Sequence, residues 1–388
     1  MAGEESTMVA DDGRLKVLLV GDASNCHNAL AGGLRKLGHE VTVASDGTQW
    51  MDTGRDLDLR RRWDNKLGGL ELWLRSQWLR GRMTGYDVVS IASQGFIELR
   101  PERQRKLYDY LRRTNRKVFY TALATDSNYV EWALDPMCPL RYTEYKWQGE
   151  DTPYLRQERG LADNWLAAPL RGFCDHIYDT TDGAVSVLYE YDMALRRKLP
   201  AEKRAYGGIP IDVDSLEPVA LPDRIDKVRF FLGRHKSRVL EKGGEILEAA
   251  AMEVVSRHPG KCEFVFVQNR PYSEYIELLR SAHVLLDQLY SYTPATNALL
   301  AMAYGLATVS GGEEEYYEFI GEHDCRPVIN GVPDYDTLVA TLENLVLHPE
   351  IIVRHGRMGH DFVKRHNDDV VVARRFADFW KNRLGEGA

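Results

Sequence analysis

The stretch KVLLVGDASNCHNALAGGLRKLGHEVTVAS, residues 16–45, contains the pattern that decides the fold. It opens with an apolar strand, continues through a polar turn into apolar residues at helical spacing as far as Leu37, and ends in a second strand, EVTVAS. A strand, a helix and a strand in this order form a βαβ unit, whose two strands lie parallel in one sheet. The stretch therefore predicts a parallel sheet covered by helices.

The same alternation continues along the chain. Further strands are predicted at YDVVSIAS (86–93), KVFYTAL (117–123) and DHIYDTT (175–181), with helices near 101–113 and 156–173. A second series begins with KVRFFLGR at Lys227 and continues as helix, CEFVFVQN, helix, HVLLDQLY, helix and ATVSGG. Two series of this kind predict an α/β protein with two doubly wound domains.

The stretch GGIPIDVDSLEPVALPD (207–223) separates the two series. It is rich in Pro, Asp and Gly, which end regular structure, and it is predicted to be a linker. We therefore predict a loose tail over 1–14, an amino-terminal domain over 15–222 and a carboxyl-terminal domain over 223–388, whose last helix can pack back on the first domain.

The composition disfavours several classes of protein. A formal net charge of −8 at pH 7 opposes nucleic-acid binding. Five scattered cysteines without a CxxC pair argue against a disulfide framework and a zinc site, and they favour reduced thiols in the cytoplasm. No run of ~18 apolar residues predicts a membrane-spanning helix, and the polar start of the chain does not read as a secretory signal. These observations predict a globular cytoplasmic protein.

The turn before the last helix of the second series is a candidate anion site. Thr293 is predicted to be the N-cap of that helix, with Pro294 at its first position. The amides of Ala295, Thr296 and Asn297 would then point outward. Because the turn follows a strand of a parallel sheet, it lies at the edge where doubly wound folds bind ligands, and a phosphate there needs only backbone donors. A capped helix without a ligand is the alternative interpretation.

Three cations occur in the stretch GRHKSRVLEKGGEILEAA, residues 233–250. Arg234 directly follows a strand, Lys242 stands at the start of the next helix, and Arg238 lies between them. Against a diphosphate, arginine offers a bidentate fork and lysine a compact charge, and both would stabilise a leaving group. Taken singly, each is equally compatible with a solvated surface residue.

These stretches resemble GT-B glycosyltransferases of the family 4 type. Residues 233–250 are similar to the family's GR…KG…L..A stretch, and LYSYTPATNALLAMAYGLATVSGG (289–312) is similar to its L-E-A-M-A-x-G-x-P-V-V segment. Residues 20–45 resemble the first strand, turn and helix facing the acceptor, and AYGGIPIDVDSLEP (205–218) resembles the P-N-G-V-D linker. The resemblance implies a GT-B fold with two Rossmann-like domains facing a cleft, and transfer of a sugar with retained configuration.

The resemblance also implies roles for individual residues. In the family the arginine and the lysine hold the diphosphate, which implies catalytic roles for Arg234 and Lys242. The donor site would further include Arg238 and the residues at or near strand ends, namely Asn269, Tyr292, Thr293, Ala295, Thr296 and Asn297. The family commonly carries two glutamates eight residues apart, but Tyr292 and Leu300 stand there. The acidic run GGEEEYYEF (311–319) offers Glu313, Glu314 or Glu315 as the carboxylate for the ribose, with a plain charged loop as the alternative.

Polar residues after two strands of the first series are candidates for contact with the acceptor. Gly21, Asp22, Ser24 and Asn25 form the turn after the first strand, where small and polar residues let a ligand approach the backbone. Asp126 follows KVFYTAL on the same edge and is predicted to contact the transferred sugar or the acceptor. His27, also near this turn, is predicted to be a packed or exposed helix residue rather than a catalyst. The turn lacks the GxGxxG spacing of a dinucleotide site, which disfavours a dehydrogenase.

No metal site is predicted. The pairs Asp56 with Asp58 and Asp212 with Asp214 spell DxD, but neither stands at a strand end in a ligand cluster. Two cations and a helix terminus would make magnesium unnecessary. We therefore expect no cofactor, with a UDP- or GDP-sugar as the co-substrate.

The segment 55–82 differs in charge from the whole chain. It contains eight basic and four acidic residues together with Trp63, Trp73 and Trp78. A basic, tryptophan-bearing amphipathic segment can rest on anionic lipid, which predicts peripheral contact with the inner face of a membrane. In the alternative interpretation the tryptophans pack inward and the arginines face water.

The sequence as a whole therefore predicts a nucleotide-sugar-dependent hexosyltransferase. Its acceptor would be a glycan or a lipid-linked glycan, as in the synthesis of cell-surface polysaccharides or glycolipids. Two alternatives remain: a catalytically silent homologue that binds a sugar nucleotide or a glycan, and a GT-B epimerase that acts on the sugar nucleotide itself. The missing glutamates motivate the first alternative.

Overall fold

The structure is a computed structural model that describes residues 13–234 and 238–385, without the side chains of Gln49 and Arg234. The strands are β1 (Lys16–Val20), β2 (Glu40–Ser45), β3 (Leu57–Asp58), β4 (Val88–Ala92), β5 (Lys117–Ala122), β6 (Lys146–Trp147), β7 (Glu150–Asp151), β8 (Ala184–Ser186), β9 (Arg204–Tyr206), β10 (Val228–Arg234), β11 (Cys262–Gln268), β12 (Val284–Leu286), β13 (Ala307–Ser310) and β14 (Ile329–Asn330).

The helices of the described chain alternate with these strands. They are α1 (Cys26–Lys36), α2 (Lys66–Leu79), α3 (Pro101–Thr114), α4 (Ser127–Leu134), α5 (Pro153–Gln157), α6 (Arg159–Leu166), α7 (Ala168–Thr180), α8 (Tyr189–Leu195), α9 (Gly244–Arg257), α10 (Tyr272–Arg280), α11 (Thr296–Ala303), α12 (Glu314–Ile320), α13 (Tyr335–Leu347), α14 (Glu350–His366) and α15 (Asp369–Gly385).

Two parallel sheets contain all of these strands except β6 and β7, which form an antiparallel hairpin, and this confirms the predicted fold class. The first sheet has the order β3-β2-β1-β4-β5-β8-β9, and the second has the order β11-β10-β12-β13-β14. We call the parts built on these sheets the first lobe and the second lobe. On β1, Val17 and Leu19 belong to one apolar cluster while Leu18 and Val20 belong to another, so both faces of the first sheet are covered.

One predicted strand is wrong. The stretch 175–181 belongs almost entirely to helix α7, and the strand comes only afterwards, as β8. The predicted helix near 156–173 is instead divided into α5, α6 and α7. Pro169 lies in the first turn of α7, and proline is tolerated there but not in a helix interior, so a new helix starts before it.

The carboxyl-terminal helix returns to the first lobe. The linker is paired with the start of α15, because Ile211 N donates to Asn367 O at 2.7 Å and Asp369 N donates to Ile211 O at 2.9 Å. Helix α15 then packs against α1 so closely that a Cβ on Gly33 would lie 2.1 Å from the backbone oxygen of Asp369. These contacts hold both lobes at one junction, whereas the domain limits at 14 and 222 stay predictions.

Candidate active site

A cavity of about 570 Å³ lies between the two lobes. Its floor is the carboxyl edge of the second sheet, and its far wall is the turn after β2 in the first lobe. The carboxyl ends of strands from both sheets therefore face the cavity, and a doubly wound fold binds its ligands at this edge of a sheet. The lining residues are Ser24, Thr48, Trp50, Met51, Gly233, Arg238, Lys242, Val267, Asn269, Arg270, Pro271, Tyr275 and Asn297.

A second cavity, of about 140 Å³, adjoins the first. The two cavities share Ser24, Arg238 and Lys242, so these residues stand between them. The second cavity is lined mainly by polar groups, and its lining includes Ala295 together with Tyr129, Glu144, Glu190, Tyr191, Glu241, Gln288, Tyr290, Ser291 and Thr296.

Free backbone amides mark the start of helix α11. The helix begins at Thr296 with Ala295 as its N-cap residue, so the prediction of Thr293 as N-cap and Pro294 as first helical residue is wrong. The amides of Ala295, Thr296 and Asn297 donate to no acceptor in the described chain. These three residues line the two cavities, so their amides form the positive end of a helix beside the shared wall.

The Lys242 ammonium group is fixed at this helix start. Its Nζ lies 3.0 Å from Oδ1 of Asp287, a residue that is 4% exposed and follows β12 directly. The Asn297 side chain donates to the same oxygen at 3.4 Å, and Tyr275 Oη donates to Asn297 Oδ1 at 2.6 Å. The chain of contacts therefore positions the cation at the carboxyl edge of the second sheet without removing it from the cavity.

The two predicted arginines differ in what the structure describes. Arg238 lines both cavities, and its guanidinium binds both oxygens of Glu241 at 2.6 and 3.0 Å, which raises its pKa. Its side chain is 52% exposed. Arg234 ends β10 next to the cavity-lining Gly233, but its side chain lies outside the described part of the structure. Its role therefore stays a prediction.

A tryptophan that the sequence analysis did not single out closes the first cavity. Trp50 of the first lobe donates from Nε1 to the backbone oxygen of Arg270 at 2.9 Å. Its ring meets Tyr272 and Tyr275 edge-on, with centroids 5.1 and 5.4 Å apart. Asn269 opens the same loop with a φ of 53°, and it lines the cavity as a predicted donor-site residue. The aromatic wall suits a flat ring such as a nucleobase.

Of the four predicted acceptor-site residues, the structure brings one to the cavities. Ser24 lines both, whereas Gly21, Asp22 and Asn25 shape the turn behind it. A Cβ on Gly21 would lie 2.5 Å from the backbone oxygen of Phe96, which requires glycine there. Asp22 accepts the His27 amide at 2.8 Å, and burial raises its pKa to about 7. Asn25 adopts a left-handed conformation and accepts a hydrogen bond from Asn28 Nδ2.

The prediction that Asp126 contacts a sugar needs correction. This residue is 3% exposed and caps helix α4, accepting the Tyr129 amide on Oδ1 at 2.7 Å. Its other oxygen accepts the hydroxyls of Tyr120 and Tyr178 at 2.5 and 2.7 Å. Both oxygens are therefore occupied inside the first lobe, where burial raises the pKa of the carboxyl.

Tyr292, Glu313 and Glu315 also differ from the prediction, because they bind the first lobe and line neither cavity. Glu313 accepts the hydroxyl of Tyr142 at 2.5 Å and pairs with Arg141, whose Nε lies 3.1 Å from Glu315 Oε1. Tyr292 is 1% exposed, and its hydroxyl accepts the Arg141 amide at 2.6 Å. These contacts join the two lobes, and they occupy the carboxylates of Glu313 and Glu315 that were predicted for the donor site.

Two buried carboxylates of the first lobe line the second cavity, and no pattern in the sequence predicts either of them. Glu190, at the start of α8, accepts the amides of Tyr292 and Thr293 at 2.5 and 3.0 Å and the Thr293 hydroxyl at 2.7 Å. Glu144 accepts the Tyr129 hydroxyl at 2.8 Å, and burial raises its pKa to about 8. Neither residue belongs to a recognisable sequence motif. Each is brought to the cavity by the tertiary fold alone.

Replacing Glu144 by glutamine is expected to stabilise the protein at alkaline pH. The folded protein holds the Glu144 proton with a pKa of about 8, against an ordinary value of 4.5. The stability that protonated Glu144 contributes is therefore lost as pH rises through this interval, whereas glutamine stays neutral. The free energy of unfolding of Glu144→Gln should therefore exceed that of the wild type increasingly as pH rises. The difference should reach a few kcal/mol, on the order of 1.4 kcal/mol per pKa unit, and then level off once the folded wild type has also lost the proton.

Urea unfolding of both proteins across this pH range measures the effect. Glu150→Gln, in the exposed part of the β6–β7 hairpin, is the matched control and should show no such trend. A Glu144→Gln advantage that is independent of pH would mean that the carboxyl titrates normally.

The DxD pairs named above bind side-chain cations. Asp56 pairs with Arg35, Asp58 with Arg55, Asp212 with Lys36 and Asp214 with Lys364. Within residues 13–234 and 238–385, no group of three or more His, Cys, Asp or Glu residues is arranged to hold a metal ion. Metal-independent chemistry nevertheless stays a prediction.

Solved structures of low sequence identity share the architecture of this chain. No family model and no curated protein matches the sequence. Among solved structures, sucrose-phosphate synthase from Thermosynechococcus elongatus superposes with a TM-score of 0.61 at 13% identity, covering 96% of this chain and 100% of that one. Anabaena HepE in complex with UDP-glucose gives 0.59 at 13% identity, covering 95% and 100%.

A third similar structure has a different activity in its description. A Listeria monocytogenes protein described as a UDP-N-acetylglucosamine 2-epimerase gives a TM-score of 0.56 at 11% identity, covering 97% of this chain and 98% of that one. Identities this low establish shared architecture alone. The chain therefore has the GT-B fold, in which two doubly wound lobes face each other across a cleft.

Proposed function

We propose that the protein is a glycosyltransferase that takes its sugar from a nucleotide sugar. One observation carries the proposal: the residues with free amides, 295–297, line one or the other of two adjoining interlobe cavities, and Lys242 and Arg238 line both. Backbone amides at a helix start and fixed cations together make a site for a diphosphate. The likeness to glycosyltransferases of the GT-B fold, including HepE with UDP-glucose, supports the same proposal.

The two cavities divide the donor between them. The larger one takes the nucleoside, whose base would lie against Trp50 and the loop from Asn269 to Pro271. The diphosphate would lie at the shared wall beside Lys242, and the sugar would enter the smaller cavity, where Glu144 can accept a hydroxyl. Negative charge that develops on the leaving diphosphate would then be stabilised by groups that are already in place. Catalysis would consist mainly of positioning and charge stabilisation.

We propose a hexosyl group carried by UDP or GDP, transfer with retention and without a metal ion, and a glycan or lipid-linked acceptor. Family 4 resemblance supports retention, and the cationic wall supports metal independence because it supplies the charge that magnesium would otherwise provide. The turn containing Ser24 would face the acceptor from the first lobe.

Binding and turnover measured on the full chain test the proposal. Calorimetry with UDP, GDP and ADP should show binding of at least one diphosphate, and the matching sugar nucleotides should release that diphosphate when acceptors are supplied. The product should carry the sugar, as seen by mass spectrometry. Absence of binding to all three diphosphates would overturn the proposal, and binding without transfer or hydrolysis would indicate a silent homologue.

An epimerase acting on the sugar nucleotide is the second candidate. It is favoured by the buried Glu144 beside the proposed sugar position, because burial raises the pKa of this carboxyl to about 8 and it can therefore hold a proton near neutral pH. Incubation with a sugar nucleotide and no acceptor separates the candidates. An epimerase yields an isomerised sugar, whereas a transferase leaves the configuration of the donor sugar unchanged.

A further inference from the structure

Helix α2 carries an apolar stripe that no other part of the described chain covers. One face of the helix is buried through Gly68, Leu72, Ser76 and Leu79. The opposite face presents the α2 stripe, whose members recur every three or four residues and are 69%, 43%, 60% and 80% exposed: Leu67, Leu70, Leu74 and Trp78. Scattered apolar residues on a surface are ordinary, but a continuous row marks an interaction site.

The three tryptophans of segment 55–82 have different environments. Trp63, just before α2, is 53% exposed, and Trp78 ends the stripe in solvent. Trp73 is only partly buried, and the Arg103 guanidinium lies over its ring at 5.7 Å. The interpretation in which all the tryptophans pack inward is therefore wrong. Trp63 and Trp78 instead expose about half or more of their surface, and Trp78 is part of the stripe.

Cations adjoin the stripe. A groove of about 720 Å³ between α2 and the start of α3 shares Leu67 and Leu70 with it, and is lined by five basic and two acidic side chains: Arg61, Lys66, Arg100, Arg103, Lys106, Glu98 and Glu102. Arg61 pairs with Glu98 at 3.0 Å. By contrast, Lys66, Arg100 and Lys106 have no carboxylate partner within the described residues. The groove is therefore a positive region on a chain whose net charge is −8.

We propose that the α2 stripe rests on the surface of an anionic phospholipid bilayer. Leucines and tryptophans on one helix face bury into the boundary between headgroups and acyl chains, while neighbouring lysines and arginines bind the headgroups. A second copy of the chain fits less well, because a symmetric contact would bring two positive grooves together. No helix of the described chain is long and apolar enough to cross the bilayer, so this contact is peripheral.

Vesicle sedimentation with the full chain tests the proposal. The protein should sediment with vesicles of phosphatidylcholine mixed with phosphatidylglycerol, and only weakly with phosphatidylcholine alone. Binding should weaken as salt is raised, because screening reduces the attraction between the cations and the anionic headgroups. Equal binding to both kinds of vesicle, or no binding to either, would overturn the proposal.

Two double variants test the apolar and the electrostatic contributions to vesicle binding separately. Leu74→Ser with Trp78→Ser should lower vesicle affinity by at least about tenfold, since each large side chain loses its burial in the bilayer. Lys66→Glu with Lys106→Glu should lower it by more than about fivefold for each cation, only on anionic vesicles. The control is Met137→Ser with Met252→Ser, which changes two apolar residues of 85% and 60% exposure elsewhere and should bind as the wild type does.

Light scattering distinguishes the two possible partners of the α2 stripe, a lipid bilayer and a second copy of the chain. A monomeric wild type supports the proposal. A dimer that Leu74→Ser with Trp78→Ser dissociates would overturn it in favour of self-association. Because the changed side chains are exposed, all variants should melt within a few degrees of the wild type, about what a surface change produces.

Discussion

Lys242→Ala should lower kcat/KM by about 10²–10³-fold and weaken binding of the matching nucleoside diphosphate by about 10–100-fold. The substitution removes the ammonium from the wall that the two cavities share, and it leaves the carboxylate of Asp287 without its cation. An unpaired buried carboxylate would repel the phosphates, so the loss exceeds that of one hydrogen bond. Calorimetry with the diphosphate and steady-state kinetics with the sugar nucleotide measure the two effects.

The second lobe offers a matched control. Lys227 stands just before β10, at the opposite edge of the same sheet, and pairs with Glu263 at 2.5 Å. Lys227→Ala removes the same charge from the chain but should leave diphosphate affinity within about twofold, because an exposed pair contributes little. Lys242→Arg should fall between wild type and alanine. Diphosphate affinity that survives Lys242→Ala unchanged would remove the cation from the proposed site.

Local sequence signals were sufficient for most of the fold. Apolar strands such as Lys16–Val20 and Val228–Arg234 carry their own signature, because a parallel sheet buried on both faces requires continuous apolar runs. The strand predicted at 175–181 was wrong because the apolar residues Ile177 and Tyr178 fit a strand and the buried face of a helix equally well. Short apolar runs are ambiguous in this way until length and neighbouring elements decide.

The candidate site was predictable mainly on the second lobe, and on the first lobe only Ser24 was predicted among the residues that line the cavities. Lys242 and the start of α11 follow strands of one sheet, and the carboxyl ends of parallel strands meet at one edge, so sequence order already places them together. Trp50 and Glu144 contribute from the first lobe, and nothing in their own segments indicates the lobe orientation that brings them to the cavities. A contact between lobes depends on how they dock, which local patterns do not encode.

The turn at 292–293 shows the same limit most directly. The amides predicted to face an anion are those of Ala295, Thr296 and Asn297, whereas the amides of Tyr292 and Thr293 just before them bind an internal carboxylate, that of Glu190. The amides that remain free begin at Ala295. The sequence therefore predicts which amides at this helix start are free, but it does not predict the buried carboxylate that the fold brings against the two residues before them.

Glu190→Ala should reduce the free energy of unfolding by about 2–4 kcal/mol. The carboxylate is 5% exposed, and its removal leaves two buried amides and the Thr293 hydroxyl without their acceptor, each a cost of about 1–3 kcal/mol. Burial of the carboxylate is itself unfavourable, as its raised pKa shows. The alanine variant no longer has this cost, so part of the lost stability is offset. Urea unfolding at neutral pH measures the change, and Glu217→Ala, at an exposed position, should stay within about 0.5 kcal/mol of wild type.

The variant Glu190→Gln shows whether stability depends on the hydrogen-bond acceptor at position 190 or on its negative charge. Glutamine keeps one oxygen for the amides of Tyr292 and Thr293, so it should lose at least about 1 kcal/mol less stability than alanine. Because the same turn leads into α11, a loosened turn displaces the free amides at residues 295–297, and diphosphate affinity should fall with stability in the order wild type, glutamine, alanine. Alanine and glutamine variants with wild-type stability would show that the two lobes do not meet through this carboxylate.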